Sequence, residues 1–293
     1  MAVYDFCSFL NENDLLEIRL NTHWDFVDKF IVVEAGETHT GLKKEFKFDH
    51  ERFKKYADKL VYVNFTSFQE EINKYPGLLD HTATYDRGPN AVTDDWTRAY
   101  FQENYLVKVL ADLGANDNDI IFVSCLDEMI RKEVFESCLP AFLDKETQYE
   151  QDLRPIFQFY MDLYAYKLNL LHKPWQHYYA AFLTEVGNFS KALPASIRHH
   201  SIRTHPIVED GGWHFTFLDG TDGEMVLEKQ RSWAHSRDKR PGEKTKFDNT
   251  TKEEALERFF ADYPVTKVEI TEARYPKYIV DNLDKLQNFI YKD

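Results

Sequence analysis

Four consecutive residues near the middle of the chain, Ile120, Ile121, Phe122 and Val123, constrain the fold more than any other stretch. A short run that is apolar at every position and rich in β-branched side chains reads as a strand buried on both faces, as in the middle of a parallel sheet. It runs out through Ser124, Cys125 and Leu126 into two adjacent acids, Asp127 and Glu128. Open α/β sheets bind ligands just beyond the carboxyl ends of such strands. Carboxylate oxygens there suit Mg²⁺ or Mn²⁺, and either ion can hold a diphosphate. Acids also favour helix starts, so Asp127 and Glu128 equally fit the first turn of a helix beginning near Arg131.

Composition narrows what such a sheet could serve. The 293 residues suffice for one large α/β domain or two small ones, and a 43% hydrophobic content supplies a substantial core. The 17 Tyr and 23 Phe serve that core as readily as they would a sugar- or base-binding surface. A formal net charge of −14 argues against a general nucleic-acid binder, which needs a basic face. It leaves room for a nucleotide whose phosphates meet a metal and a few local Lys or Arg residues. Three cysteines, Cys7, Cys125 and Cys138, imply no disulfide framework and a reducing compartment. No apolar run approaches the roughly 20 residues of a membrane span. The opening residues lack the basic start of a signal peptide, so the expectation is a soluble, cytoplasmic protein.

In chain order, Val3 to Phe9 reads as a first strand. A helix over Asp14 to Leu20 follows, capped by Asn11 or Asn13, although the alternation of Leu16, Ile18 and Leu20 also fits a strand. Phe30 to Val33 is a second strand with Glu34 at its carboxyl end, placed either to accept bonds from a ribose or base or to bind loop amides. Thr38, Thr40, Gly41, Lys43, Lys44 and Lys47 make a candidate phosphate-facing loop or a solvated lysine run. Leu60 to Phe65 is a third strand, and residues 74–93 read as a long loop. Asp94 or Asp95 caps a helix running from Trp96 to Leu113 and ended by Gly114. A short helix from Glu133 to Leu139 stops at Pro140.

Ile156 to Tyr166 and Trp175 to Leu183 suggest an aromatic-rich antiparallel pair. His199, His200 and His205 lack a recognised metal-ligand spacing. Glu209-Asp210-Gly211-Gly212-Trp213-His214 reads as a glycine turn that lets backbone approach a ligand. A helix from Asp222 to Trp233, a charged loop from Ser236 to Thr251, and helices over Glu253 to Tyr263 and Lys277 to Ile290 complete the chain. The reading is one domain over 1–293: a nucleotide-binding half (1–140), an acceptor and catalytic half (141–250) and C-terminal helices (251–293).

Taken together, four segments resemble glycosyltransferase family 17, the group containing β-1,4-N-acetylglucosaminyltransferases. They are Phe9-Leu10-Asn11-Glu12 with Asp14 to Leu20; Val27 to Glu34 with Thr38 to Gly41 and Lys43-Lys44; Asp119 to Met129; and Gly212-Trp213-His214-Phe215 with Ser232-Trp233-Ala234-His235. The resemblance implies a GT-A type fold: an α/β, Rossmann-like open mixed sheet flanked by helices, here with a small antiparallel addition and C-terminal helices. It implies a nucleotide-sugar donor, UDP-linked, a glycan acceptor, and usually Mn²⁺ (or Mg²⁺). Two departures stand out. The family's strand commonly ends Ser-Asp-x-Asp-Glu, and here Cys125 replaces the first Asp. Glu103 stands where relatives tend to carry Arg.

On that resemblance, Asp127 and His235 are the expected metal ligands. Phe9, Asn11, Glu12, Glu34, Thr38, Thr40, Lys43, Cys125 and Glu128 are the expected nucleotide-binding residues. Inversion at the anomeric carbon needs one carboxylate base; Asp210 is the first candidate and Glu209 the second. Gly212, Trp213 and His214 would shape the sugar or acceptor site, with a core anchor as the other reading of Trp213. Two rival functions remain: a degenerate transferase that binds nucleotide or glycan without turnover, favoured by Cys125, and a sugar-phosphate nucleotidyltransferase, disfavoured by the lack of a Gly-rich basic loop near Phe9. The chain would be a bacterial or viral enzyme, or an engineered soluble form.

Overall fold

The computed structural model describes residues 1–79, 93–144, 155–172, 181–200, 206–238 and 244–292. The chain begins with strand β1 (Val3–Phe9), helix α1 (Asn13–His23) and strand β2 (Lys29–Ala35). A one-turn helix α2 (His50–Phe53), strand β3 (Leu60–Phe65), helix α3 (Phe68–Lys74) and the long helix α4 (Thr93–Leu113) lead to β4 (Ile120–Val123). Then come β5 (Glu128–Ile130), α5 (Lys132–Phe142), β6 (Ile156–Ala165), β7 (Leu170–His172), β8 (Phe182–Glu185) and α6 (Pro194–His200). The last third holds β9 (Ile207–Thr216), α7 (Glu224–Ser232), α8 (Lys252–Asp262), β10 (Val265–Lys267) and α9 (Lys277–Asp281).

Among the described residues these strands form one open, mixed ten-stranded sheet in the order β10-β7-β6-β8-β4-β1-β2-β3, with β9 joining β6 to β5. β1 pairs parallel with both β2 and β4, and β3 extends that parallel half. β8 turns the sheet antiparallel beside β4, and β6, β7 and β10 continue the antiparallel addition.

Alternation along the parallel strands divides the core in two. Cys7, Phe9, Phe30 and Val32 face Leu15, Leu16, Ile18 and Leu20 of α1, together with Ile279 of α9. Phe6, Ile31, Val33, Ile121 and Val123 face Phe101, Tyr105, Leu106, Val109 and Leu110 of α4. Each fully buried side chain of this kind contributes about 1.5–3 kcal/mol relative to exposure. Helices on both faces explain why all four residues of β4 are inaccessible to solvent. Gly114 ends α4 with φ +67, and the Ala115 N–H reaches back to the Leu110 carbonyl.

Three local expectations are corrected. Asp127 and Glu128 do not start a helix; Asp127 closes the turn, Glu128 opens β5, and α5 begins four residues after Glu128. Pro140 does not stop α5, which runs on to Phe142, a fully buried residue whose ring meets Phe157 edge-on at 5.4 Å. Burial of that ring holds the last turn despite the missing proline donor. Gly211 and Gly212 form no loop turn but lie inside β9. A Cβ on Gly212 would sit 1.9 Å from the Met129 carbonyl oxygen, and one on Gly211 2.7 Å from Phe159 Cβ. The glycines let β5 and β6 close on β9, where Asp210 (φ +51) marks an irregularity in the pairing. Residues 80–92, 173–180 and 201–205 lie outside the described residues, so most of the 74–93 loop, Trp175 and His205 do too, as do the side chains of His199 and His200.

Candidate active site

β1 is followed in sequence by β2 on one side, while β4 pairs on its other side. The chain's connections therefore diverge between β1 and β4, which opens a crevice beyond their carboxyl ends. Asn11 and Glu12 follow β1 into this crevice, and the Ser124–Asp127 turn follows β4.

That turn is held from beneath by Arg19, a fully buried residue on the apolar face of α1. Its guanidinium donates to both carboxylate oxygens of Asp5, to Ser124 Oγ (2.6 Å), and to the carbonyls of Cys125 (2.7 Å), Leu126 (3.3 Å) and Glu128 (2.8 Å). Burial alone would push the Asp5 carboxyl up, but Arg19 and His23 overcome it and hold Asp5 well below the usual carboxylate range. His23 sits one turn after Arg19. Burial lowers its pKa, so the ring is neutral, with Nδ1 2.8 Å from Asp5 and Nε2 accepting from the Ile130 N–H at 2.9 Å. Asp5, Arg19 and His23 thus fix both ends of the turn. Sequence reading missed all three; the available signal was an Arg and a His spaced i, i+4 on a face otherwise made of Leu and Ile.

Above this support the turn presents its charged side chains. Asp127 Oδ2 accepts from Lys229 Nζ of α7 at 2.8 Å, and Oδ1 lies 3.5 Å from His214 Nε2 of β9. The same ammonium is 3.9 Å from Glu12 Oε1, and Glu12 Oε2 accepts from the Leu10 and Asn11 N–H groups. Burial would raise the Asp127 pKa, yet Lys229 and His214 hold it far below the usual range. Burial would lower the Lys229 pKa, but Asp127 and Glu12 raise it, so the pair is ionised.

Glu128 turns the other way. Both its oxygens lie 3.0 Å from Arg198 Nη2, and Oε2 also accepts from the Cys125 N–H. The same Arg198 nitrogen is 3.1 Å from Cys125 Sγ, and Nη1 reaches Glu103 at 3.5 Å. Cys125 and Glu103 therefore meet on one arginine. Burial pushes the Cys125 thiol up to about 12, so it is a neutral group at physiological pH.

Other predicted site residues are placed differently. Glu34 is wholly buried and spent on the protein: it accepts from Lys44, Tyr62 and the Lys47 and Phe48 amides. The loop-amide reading of Glu34 is the one realised. Thr38 and Thr40 bond each other, and Thr40 ties the loop to the Arg231 carbonyl at the end of α7. Lys43 is exposed, and Phe9 is a core residue. Asn11 donates to Glu228 at 2.6 Å. His235 Nδ1 meets Asp238 at 2.7 Å, and its ring packs against Trp96 and Trp233.

Asp210 and Glu209 are exposed at the other end of β9. Asp210 pairs with Arg131 at 3.2 Å, and it lies four residues, about 13 Å of extended strand, from His214. Trp213 is a core anchor, its indole N–H on the Arg274 carbonyl and Arg131 stacked 4.1 Å over its ring. Gly212 faces the Met129 carbonyl rather than the crevice. His214 alone of the predicted sugar-site trio reaches the acidic turn.

The charged turn sits at the switch point of an open α/β sheet, where such folds bind ligands, and comparison with known proteins gives the chain a family. The family model for glycosyltransferase family 17 matches residues 1–252, so the chain belongs to glycosyltransferase family 17 and is a glycosyltransferase. A search of the curated proteins returns no match.

A divalent cation, implied by the resemblance, does not fit the donor set as it stands. Among the described residues no three His, Cys, Asp or Glu side chains gather to hold a metal. Asp127 already carries an ammonium, Glu128 an arginine, and Cys125 is a thiol rather than a carboxylate.

Proposed function

We propose that this glycosyltransferase moves a sugar from a nucleoside-diphosphate donor, UDP-linked and of the N-acetylhexosamine class, to a hydroxyl of a glycan acceptor, with inversion at the anomeric carbon. The observation that carries the reading is the Asp127–Lys229–Glu12 cluster at the β1/β4 crevice of a family 17 chain. In the transfer, the acceptor oxygen bonds to the anomeric carbon as the bond from that carbon to the diphosphate breaks. The electron pair leaves with the nucleoside diphosphate, and the hydroxyl proton passes to a base.

Charge grows on the departing diphosphate, so fixed cations at the crevice lower the barrier. Lys229 is the group best placed, and Asp127 orients it. His214 and Asn11 border the same space and suit hydrogen bonds to a sugar or ribose. Glu12 and Glu128 each serve backbone amides and cations of the protein, which disfavours either as the base. Asp210, paired with Arg131 well along β9, suits acceptor binding better than proton removal at the anomeric carbon.

A panel of UDP- and other nucleotide sugars, offered with a mixed oligosaccharide acceptor, tests the reading through release of nucleoside diphosphate. The expected result is release from one donor class, lost in Asp127→Asn while the circular-dichroism melt of that variant remains cooperative. Binding of nucleotide sugar without release from any donor would instead favour the non-catalytic binding role.

A further inference from the structure

Each acid of the turn already has a cation of the protein beside it. Asp127 has Lys229 at 2.8 Å, Glu128 has Arg198 at 3.0 Å, and the remaining polar side chain between them, Cys125, is uncharged. Each acid of the turn thus meets a cation of the protein, with Glu12 sharing Lys229 and Glu103 sharing Arg198.

The position of Lys229 is more telling than the count. Its ammonium lies between Asp127 at 2.8 Å and Glu12 at 3.9 Å, beside the carboxylate that the resemblance would give to a metal. Among the described residues it donates one hydrogen bond, to Asp127, and its face toward Phe217 is a 5.2 Å cation–π contact. A lysine ammonium has three donors, so hydrogen-bonding capacity remains for an anion entering the crevice. Arg19, by contrast, has its donors taken up by the protein.

We propose that Lys229 occupies the cation seat of the donor site, so that this protein binds the diphosphate of a nucleotide through a built-in ammonium and without a divalent metal. The inference rests on the nucleotide-donor reading above and specifies its cation. Lys229 holds position on Asp127 and offers its remaining donors to the diphosphate oxygens.

Two titrations test this on the 293-residue chain. In the first, Mn²⁺ alone is followed by electron paramagnetic resonance. Wild type is expected to show no saturable site, and Lys229→Met to gain one that Lys229→Met/Asp127→Asn loses. A saturable site on wild type that Asp127→Asn removes would overturn the proposal, whatever the nucleotide does. In the second, UDP is titrated calorimetrically in EDTA and in Mn²⁺. Wild type is expected to bind equally in both, Lys229→Arg to retain binding, and Lys229→Met to weaken it by about tenfold or more.

Binding in Mn²⁺ that EDTA abolishes would contradict the proposal. Absence of UDP binding in either buffer would count against the nucleotide-donor reading, and the Mn²⁺ titration would still decide whether Lys229 fills the cation seat. Should Lys229→Met fail to melt cooperatively, the wild-type titrations and the Lys229→Arg comparison carry the test.

Discussion

The chain contains two buried aspartate–cation pairs on opposite sides of one turn, and they are built for different ends. Asp5–Arg19 is sealed: the two side chains are 0% and 1% exposed, and the guanidinium also reaches a serine hydroxyl and several carbonyls. Asp127–Lys229 is open on one side, with Lys229 19% exposed and one hydrogen bond donated. A pair whose hydrogen bonds all end on protein specifies structure, since breaking it strands a charge. A pair with donors to spare at a crevice can still bind something. The comparison separates the turn's scaffold from its working face, although both use the same chemistry.

The largest expected effect breaks the sealed pair. Arg19→Met leaves Asp5 charged in the core and several carbonyls without a donor, so it should cost about 3–5 kcal/mol, read as a lower urea midpoint. Loss of transfer should follow from loss of the fold. Lys229→Met, on the open side, should cost less, about 1–2 kcal/mol, because water can enter where the partly exposed Lys229 stood and His214 stays beside Asp127. Its transfer rate should nonetheless fall to background. Equal stability losses in the two variants would erase the distinction drawn between the pairs.

Acid sharpens the comparison further. Asp5 and Asp127 both have folded pKa values held below the unfolded value of about 3.9. Their stabilisation is complete above that value and is lost as pH falls toward the folded values. The urea midpoint of wild type should therefore drop below about pH 4, and Asp127→Asn should flatten part of that slope while Asp5 supplies the remainder.

A separate pH window belongs to His39. Burial lowers its pKa to about 4, although its Nε2 lies 2.9 Å from Gln102 Oε1, a bond that favours the protonated form. Arg98, whose Nε donates to the His39 carbonyl, lowers the pKa further, and Glu103 raises it. A folded value below the unfolded 6.5 means stability present above about pH 6.5 and lost as pH falls toward 4. His39→Gln should flatten part of the slope in that window, His23 supplying the rest, and leave the lower one intact. An unchanged slope would place the titration elsewhere.

How much of this was legible in the sequence depends on where each residue's partner lies. β4 was readable because helices cover both sheet faces, so all four residues had to be apolar. Asp127 was readable as a site residue from its place after that strand. Lys229 was not, because the partner that gives it meaning is 102 residues away. Arg19 was hidden for a related reason: an arginine in a helix reads as solvated until Asp5 and the turn carbonyls are seen around it. The Gly211-Gly212 pair was visible as a backbone demand, but the demand comes from neighbouring strands rather than a ligand. For Glu34 both readings fitted the sequence, and four donors from the protein decided between them.

The measurement that bears most directly on the account is a thermal-shift panel of nucleotide sugars against wild type, Asp127→Asn and Asp210→Asn. A ligand that binds the native state raises the melting temperature by mass action. A donor-specific rise that survives Asp210→Asn and disappears in Asp127→Asn would locate the donor at the β1/β4 crevice, as predicted. A rise that persists in Asp127→Asn and is lost in Asp210→Asn would put the donor at the far end of β9 and contradict the account.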